Sequence, residues 1–381
     1  MTVRDEAPQF LPKAELGNLF AVLQRRGYTV IGPRIEQGAV VYEPIDSVDD
    51  LPIGWTDEHG PGHYRLHETG DGAHFNYVVG PIAWKKYLFP PRVTILESTK
   101  RADQWHFENP QPEIPKYAFL GVRACDLAAI AVQDRVFMSQ QYTDPIYQQR
   151  REQALIIAVN CTKAAPTCFC TSMNTGPRCR SGFDIALTES PDGFLIETGT
   201  NTGRELIGEL NTTTATTDQN QQAETICRQT TAQITKRLDT ENVHDLLLGN
   251  LNHPQWDHLA ERCLSCTNCT MVCPTCFCTS VTEVADLSGD HVTRDRHWDS
   301  CFNPAFSYIH GGNVRNSIRS RYRQWLTHKL ASWIDQFGTS GCVGCGRCIT
   351  WCPVGIDLTE EVAAIRDGAV INGSVINEES A

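Results

Sequence analysis

The first 124 residues of the chain contain no cysteine, although the 381-residue sequence has 17. It also lacks an apolar stretch long enough to cross a bilayer, and its start shows neither a secretory segment nor a twin arginine. We therefore expect a cytoplasmic protein without a membrane span. Basic residues are few, 33 against 45 acidic ones, and the net charge of -12 opposes extended contact with phosphate backbones. This excludes nucleic acid as an expected partner.

Signatures of an independent catalytic site are missing as well. The sequence has no G-x-G-x-x-G or G-x-x-x-x-G-K-[ST] phosphate loop, no G-x-S-x-G elbow and no H-E-x-x-H pair. These absences exclude the commonest nucleotide-binding and hydrolase sites, so we assign no catalytic residue. The cysteines are the residues in this sequence that offer a functional chemistry. In a reducing compartment so many cysteines are better explained by metal ligation than by disulfides.

Two cysteine runs near the C-terminus carry the strongest signal. Residues 263–274 and 342–353 both read C-x2-C-x2-C-x3-C-P. This spacing is typical of two-cluster ferredoxins, in which three thiolates of a run hold one [4Fe-4S] cluster and the fourth ligates the other cluster. We assign the first cluster to Cys263, Cys266, Cys269 and Cys352, and the second cluster to Cys342, Cys345, Cys348 and Cys273. Zinc sites would leave the duplicated spacing without a reason.

A less regular set of cysteines occupies the middle of the chain. Residues 117–122 and 154–160 read as buried strands; Cys125 follows the first closely and Cys161 follows the second directly. Cysteines at the carboxyl ends of two buried strands meet in the crevice where open α/β sheets hold their ligands. The pattern predicts a third [4Fe-4S] cluster with the ligands Cys125, Cys161, Cys168 and Cys170, and with Cys179 as the alternative fourth ligand. The alternative interpretation is a group of buried structural thiols.

A short motif occurs twice and extends the cysteine pattern. The sequence Thr-Cys-Phe-Cys-Thr-Ser stands at residues 167–172 and again at residues 275–280. In the second copy Cys276 and Cys278, together with Cys301, either serve a further metal centre or pack beside the first cluster as S–H donors. Cys227 stands apart from these groups, and we expect it to be inert.

The remaining sequence indicates two domains. Residues 1–245 mix strand and helix signals and predict an α/β (or α+β) domain with the additional Fe-S site, whereas residues 246–381 predict a mainly helical two-cluster ferredoxin-like domain. Within the first domain we expect a helix over 13–26, strands over 38–42 and 74–79, a helix over 127–137 capped by Asp126, and a polar surface loop over 211–223.

The long insertion between the two cysteine runs predicts an amphipathic helix over 313–333. Arg315, Arg319 and Arg323 recur on one face of this helix. They either form a solvated face or lie near the clusters and raise their reduction potentials.

Several motifs together resemble a known family. They are Lys85–Pro91, Gly121–Leu127, Asn160-Cys161, Thr167–Met173, Cys263–Cys278, Trp298–Cys301, Arg321–Gln324 with His328-Lys329, and Cys342–Pro353. In this combination the chain resembles the iron-sulfur beta subunit of cytosolic NiFe hydrogenases of the sulfhydrogenase type, and it is similar to the electron-transfer subunit of anaerobic sulfite reductase.

The resemblance implies an electron-transfer protein that does not itself cleave hydrogen. Its implied partners are a flavin-containing NAD(P)H subunit with the small and large subunits of a NiFe hydrogenase, or else the sirohaem subunit of a sulfite reductase. Two other hypotheses come from different classes. In one, the middle crevice binds its own substrate or a flavin, so that the chain is a cluster-containing oxidoreductase. In the other, the clusters are only structural.

Overall fold

The N-terminal two-thirds of the chain alternates strands and helices. The computed structural model of the protein describes residues 7–110, 113–139, 142–368, 370–371 and 374–375. Its first strands are β1 (Gln9–Pro12), β2 (Thr29–Glu36), β3 (Ala39–Pro44), β4 (Trp55–Gly60), β5 (His63–Glu68), β6 (Arg92–Arg101), β7 (Gln104–Glu108), β8 (Tyr117–Val122), β9 (Leu155–Val159), β10 (Ile185–Glu189), β11 (Gly193–Thr198) and β12 (Thr213–Thr214). The helices are α1 (Leu16–Arg25), α2 (Lys85–Leu88), α3 (Ala124–Phe137), α4 (Pro145–Gln153), α5 (Asn201–Ile207) and α6 (Thr217–Gln233), with 3-10 turns at Lys13–Glu15 and Val48–Asp50.

Eight of these strands form one sheet in the order β12-β1-β11-β10-β9-β8-β2-β3. The strands β2, β8, β9 and β10 are parallel to one another and form its centre. Side chains on both faces of the central strands are buried. Leu120 packs with residues of α1 in one core cluster, whereas Phe119 packs with residues of α3 in another. This layered arrangement confirms a mixed α/β N-terminal region.

Residues 74–79, predicted as a strand, are buried but irregular. Charged side chains take the place of a neighbouring strand. Glu189 accepts hydrogen bonds from the amides of His74 and Phe75, and Arg123 donates to the carbonyls of Phe75 and Tyr77. The backbone groups are thus satisfied without a sheet ladder, which alternating hydrophobicity alone does not reveal.

The polar stretch 211–223 is only partly a loop. Helix α6 begins at Thr217, and Thr216 forms a capping box with Gln219, whose side chain accepts from the Thr216 amide. This T-x-x-Q sequence is the start signal that the low-complexity interpretation missed. Helix α3 also begins earlier than predicted: Arg123 occupies its N-cap position, so Asp126 lies inside the first turn and is not the cap.

The C-terminal third is helical only in part. It contains α7 (Val243–Gly249), α8 (Gln255–Arg262), α9 (Asn268–Met271), β13 (Thr279–Ala285), β14 (His291–Trp298), β15 (Tyr308–Ile309), β16 (Gly312–Asn313), α10 (Ile318–Thr327), a π-helical segment (His328–Ser332), α11 (Trp333–Phe337), α12 (Arg347–Thr350), α13 (Leu358–Asp367), β17 (Val370–Ile371) and β18 (Ser374–Val375). β13 and β14 join β6 and β7 in a second sheet of order β13-β14-β6-β7. Strands from both sides of residue 245 therefore share one sheet, and the boundary at this residue stays a prediction.

The helix predicted over 313–333 lies at 318–337. Ser317 caps α10 by accepting from the Ser320 amide, while Asn313 belongs to β16. The helix continues through the π-helical segment into α11. In the described part of the chain, no helix is both long enough and apolar enough to cross a membrane.

Candidate metal centres

The first cysteine run and the end of the second run enclose an apolar cavity. Its lining includes the four predicted ligands Cys263, Cys266, Cys269 and Cys352. Phe302, Tyr322, Trp325, Ile356 and Leu358 supply much of the remaining wall. The crosswise grouping therefore has a geometric basis, because Cys352 meets cysteines of the other run.

A second apolar cavity lies beneath the second run. The predicted ligands Cys273, Cys342, Cys345 and Cys348 all line it. Cys273, the last cysteine of the first run, is the member that crosses over. Lys329 and Arg347 also line this cavity, so cationic side chains accompany the thiols.

The two runs share one backbone design. Ser265 and Thr267 of the first run have positive φ values of 54° and 71°, and Gly344 and Gly346 occupy the same motif positions with φ of 66° and 76°. At the start of each run, a backbone amide donates to the sulfur of the run's first cysteine. The Ser265 amide donates to Cys263 Sγ at 3.4 Å, and the Gly344 amide donates to Cys342 Sγ at 3.5 Å. These left-handed positions fold each loop around its cavity.

A third cavity lies at the carboxyl ends of two central strands of the large sheet. β8 and β9 are parallel and end at Val122 and Val159, so Cys125 in the first turn of α3 and Cys161 after β9 come together there. The cavity is lined by all four predicted ligands, Cys125, Cys161, Cys168 and Cys170, together with Arg123 and Cys345. Cys179 is buried outside this lining, and its amide donates to Asn160 Oδ1 at 2.7 Å.

The loop that carries Cys168 and Cys170 packs directly on the second run. The Phe169 amide donates to Gly344 O at 2.9 Å, and a Cβ added to Gly344 would lie 2.7 Å from the Cys170 backbone. The hydroxyls of Thr167 and Thr350 are 2.9 Å apart. Glycine is thus required in the second run because the middle loop approaches it closely.

Shared walls arrange the three cavities in a row. Cys348 lines both the first and the second cavity, and Cys345 lines both the second and the third. The second cavity is therefore the middle one. A buried ion pair stands at its junction with the third cavity: Arg347 Nη1 lies 2.9 Å from Asp126 Oδ1, and both residues are 1% exposed.

The sequence left two alternatives for Arg315, Arg319 and Arg323, a solvated face or a position near the clusters, and two of these arginines bond to groups other than the predicted ligands. Arg319 pairs with Asp257, and Arg323 donates to the Leu251 carbonyl. Arg321 and Lys329 are buried instead: Lys329 lines the second cavity, and Arg321 contacts the Ser265 hydroxyl of the first run. The apolar stripe around Tyr322, Trp325 and Leu326, which predicts the amphipathic helix, indicates this buried face, whereas the i, i+4 repeat of arginines does not.

The second copy of the repeated motif contacts the start of the second run and Lys329. Thr275 donates to the Gly341 carbonyl at 2.6 Å, and Lys329 Nζ lies 3.5 Å from Cys276 Sγ. Cys278 and Cys301 hydrogen-bond to each other. Among the described residues, no three His, Cys, Asp or Glu side chains are grouped closely enough to hold a single metal ion. Both alternatives for Cys276, Cys278 and Cys301, a further metal centre and packing beside the first cluster, stay predictions.

The donor set fits iron-sulfur clusters. Burial raises the pKa of the Cys168 and Cys342 thiols to about 12, so these thiols keep their protons at neutral pH unless a metal replaces them. Each cavity offers at least four thiols within apolar walls. A cubane separates its ligands more widely than a single ion does, because each thiolate binds a different iron.

Comparison with known proteins agrees with these features. Residues 262–356 match the family described as a 4Fe-4S dicluster domain. The chain is 29% identical over 347 residues to sulfhydrogenase 2 subunit beta of Pyrococcus furiosus, and the alignment covers 90% of this chain and 93% of that protein. No solved structure matches the chain significantly. Residues 262–356 are thus similar to a 4Fe-4S dicluster domain, and the similarity over nine-tenths of the chain's length confirms its resemblance to the beta subunit of a sulfhydrogenase.

Proposed function

We propose that the chain is the electron-transfer subunit of a hydrogenase complex and holds three [4Fe-4S] clusters in a row. The single observation that carries this proposal is the series of three cysteine-lined cavities, in which neighbouring cavities share a cysteine wall. Each cluster, when bound, takes up and releases one electron at a time.

The ligands we propose are the three quartets named from the sequence. Cys263, Cys266, Cys269 and Cys352 hold the first cluster; Cys273, Cys342, Cys345 and Cys348 hold the second; Cys125, Cys161, Cys168 and Cys170 hold the third. The chain's own contribution is to fix these thiols, exclude water with apolar walls and keep the three sites adjacent. The Asp126–Arg347 ion pair supports the last task, because it joins α3 beside the third site to α12 beside the second.

The partners we propose follow from the resemblance. The relative is a subunit of a sulfhydrogenase, and we infer that this chain relays electrons from or to a flavin-containing NAD(P)H subunit on one side, with the small and large subunits of a NiFe hydrogenase on the other. The chain itself contributes no residue to hydrogen cleavage in this proposal.

The test is an anaerobic preparation of the complex from its native host. Three clusters predict that this chain contributes about twelve iron and twelve acid-labile sulfide atoms, beyond the iron and sulfide of its partner subunits, with paramagnetic signals after dithionite reduction. Protein identification of the captured complex should find a NiFe large subunit together with a flavoprotein. Zinc in place of iron, or no paramagnetic signal after reduction, would overturn the cluster assignment, and a sirohaem protein in place of the NiFe protein would overturn the hydrogenase assignment.

A further inference from the structure

A lysine is buried against the crosswise ligand of the second site. Lys329 is 2% exposed and lies in the π-helical segment His328–Ser332. Its Nζ donates to Cys273 Sγ at 3.2 Å and also approaches Thr275 Oγ1 at 3.3 Å, Gly341 O at 3.3 Å and Cys276 Sγ at 3.5 Å. The extra residue of a π-helical turn often marks a functional position, and here it brings the ammonium to the sulfur.

A second lysine accompanies it from the other side. Lys85 is 5% exposed, donates to the Cys276 carbonyl at 3.0 Å and stacks its Nζ 4.0 Å from the centre of the Trp298 ring. Within the described part of the chain, no carboxylate forms an ion pair with Lys329 or Lys85. Buried charges are rarely left without a counter-charge, because desolvation costs several kcal/mol per ion. The anionic partner at hand is the sulfur of the second site.

The first site has no equivalent cation among the described residues. Arg321 is a buried cation close enough to the first run for its charge to favour the Cys263 thiolate, but its guanidinium donates to the carbonyls of Arg315 and Asn316 at 3.0 and 3.2 Å. Its remaining contacts, at 3.4 Å, are with the Ser265 hydroxyl. A charged N–H···S hydrogen bond is therefore made to a predicted ligand of the second site, and Arg321 makes none to the first.

We propose that Lys329, assisted by Lys85, is the buried counter-charge of the second cluster and holds its reduction potential above that of the first cluster. This inference rests on the proposed function. Reduction adds one negative charge to a cluster, so a fixed cation that donates to a ligand sulfur stabilises the reduced form more than the oxidised form. The middle site of the row would then be easier to reduce than the first site.

The test is a potentiometric titration of the anaerobic complex, followed by electron paramagnetic resonance. Lys329→Gln should lower the midpoint potential of one cluster by about 59 mV or more, a tenfold change in its reduction equilibrium, and leave the other clusters unchanged. Lys329→Arg should restore most of the shift, because it returns the charge. Lys85→Gln should lower the same potential by a smaller amount. Arg319→Gln is the matched control, since Arg319 lies on α10, which precedes the π-helical segment, but pairs with the exposed Asp257 of α8.

The outcomes separate this inference from the proposed function. Wild-type iron content and signals test the clusters themselves. If Lys329→Gln retains its iron and all midpoint potentials stay within error of wild type, the counter-charge inference is wrong while the cluster assignment stands. If Lys329→Gln loses iron, the other two variants decide the matter. An unchanged midpoint potential in Lys85→Gln would overturn the inference. A downward shift in Lys329→Arg as large as the shift in Lys85→Gln would overturn it as well.

Discussion

The two C-terminal sites and the third site gather four cysteines in different ways. Each C-terminal site takes three cysteines from one loop, which two left-handed residues fold around the cavity. The third site takes Cys125 and Cys161 from two parallel strand ends and Cys168 and Cys170 from a separate loop. The comparison teaches that the C-terminal sites depend on a local cysteine spacing, which therefore occurs twice in the sequence. The third site depends on the sheet topology, and its cysteines follow no regular pattern.

The largest expected effect tests the crosswise ligation of the C-terminal sites. Cys352→Ser should damage the same cluster as Cys269→Ser, whereas Cys273→Ser should damage the other, because the fourth cysteine of each run lines the opposite cavity. Iron content and the paramagnetic spectrum of each variant measure this, with Cys227→Ser as the control. Matching spectra for Cys352→Ser and Cys345→Ser would instead mean that each run holds its own cluster.

The next prediction concerns the third site alone. Cys161→Ser should remove about four iron atoms per chain and leave the spectra of the C-terminal clusters in place, since Cys161 lines only the third cavity. Cys179→Ser is the matched control, because Cys179 is buried nearby but outside the lining. Equal iron loss in both variants would contradict the ligand set; loss in Cys179→Ser alone would make Cys179 the ligand.

A third prediction tests the connection between the two kinds of site. Arg347→Met leaves Asp126 as an unpaired buried charge and should cost about 3–5 kcal/mol of stability, seen as a lower unfolding temperature of the anaerobic holoprotein. The double variant Arg347→Met/Asp126→Leu should recover much of the loss, because the uncompensated charge is gone. If the double variant is as unstable as the single variant, the loss of stability comes from losing the ion pair and not from the unpaired charge of Asp126.

The smallest expected effect compares equivalent positions of the two runs. Gly344→Ala should destabilise the protein by more than the usual 1–2 kcal/mol for a left-handed residue, because its Cβ would also meet the Cys170 backbone at 2.7 Å. Ser265→Gly at the same motif position should change stability by about 1 kcal/mol or less, since relief of strain is offset by chain entropy. Unfolding temperatures measure both variants. Similar losses in the two would mean that the middle loop does not constrain the second run.

Much of the candidate site could be predicted because cysteine spacing and strand ends are local features. The C-x2-C-x2-C-x3-C-P runs indicated the quartets, and the buried strands at β8 and β9 indicated that Cys125 and Cys161 meet. Other predictions were wrong where side chains compete with local propensity. Residues 74–79 alternate like a strand, yet Glu189 and Arg123 take their backbone groups. Asp126 occupies a plausible capping position, yet it pairs with Arg347, which is far away in sequence.

The sequence by itself determined the iron-sulfur character of the protein, because ligand spacing along a loop fixes which thiols can reach one cubane. Only the tertiary structure decided the order of the three cavities and the identity of the cations beside them. Both depend on which surfaces pack together: the 167–170 loop against the second run, and Lys329 against Cys273. Such contacts join residues far apart in the chain, and no local pattern encodes them.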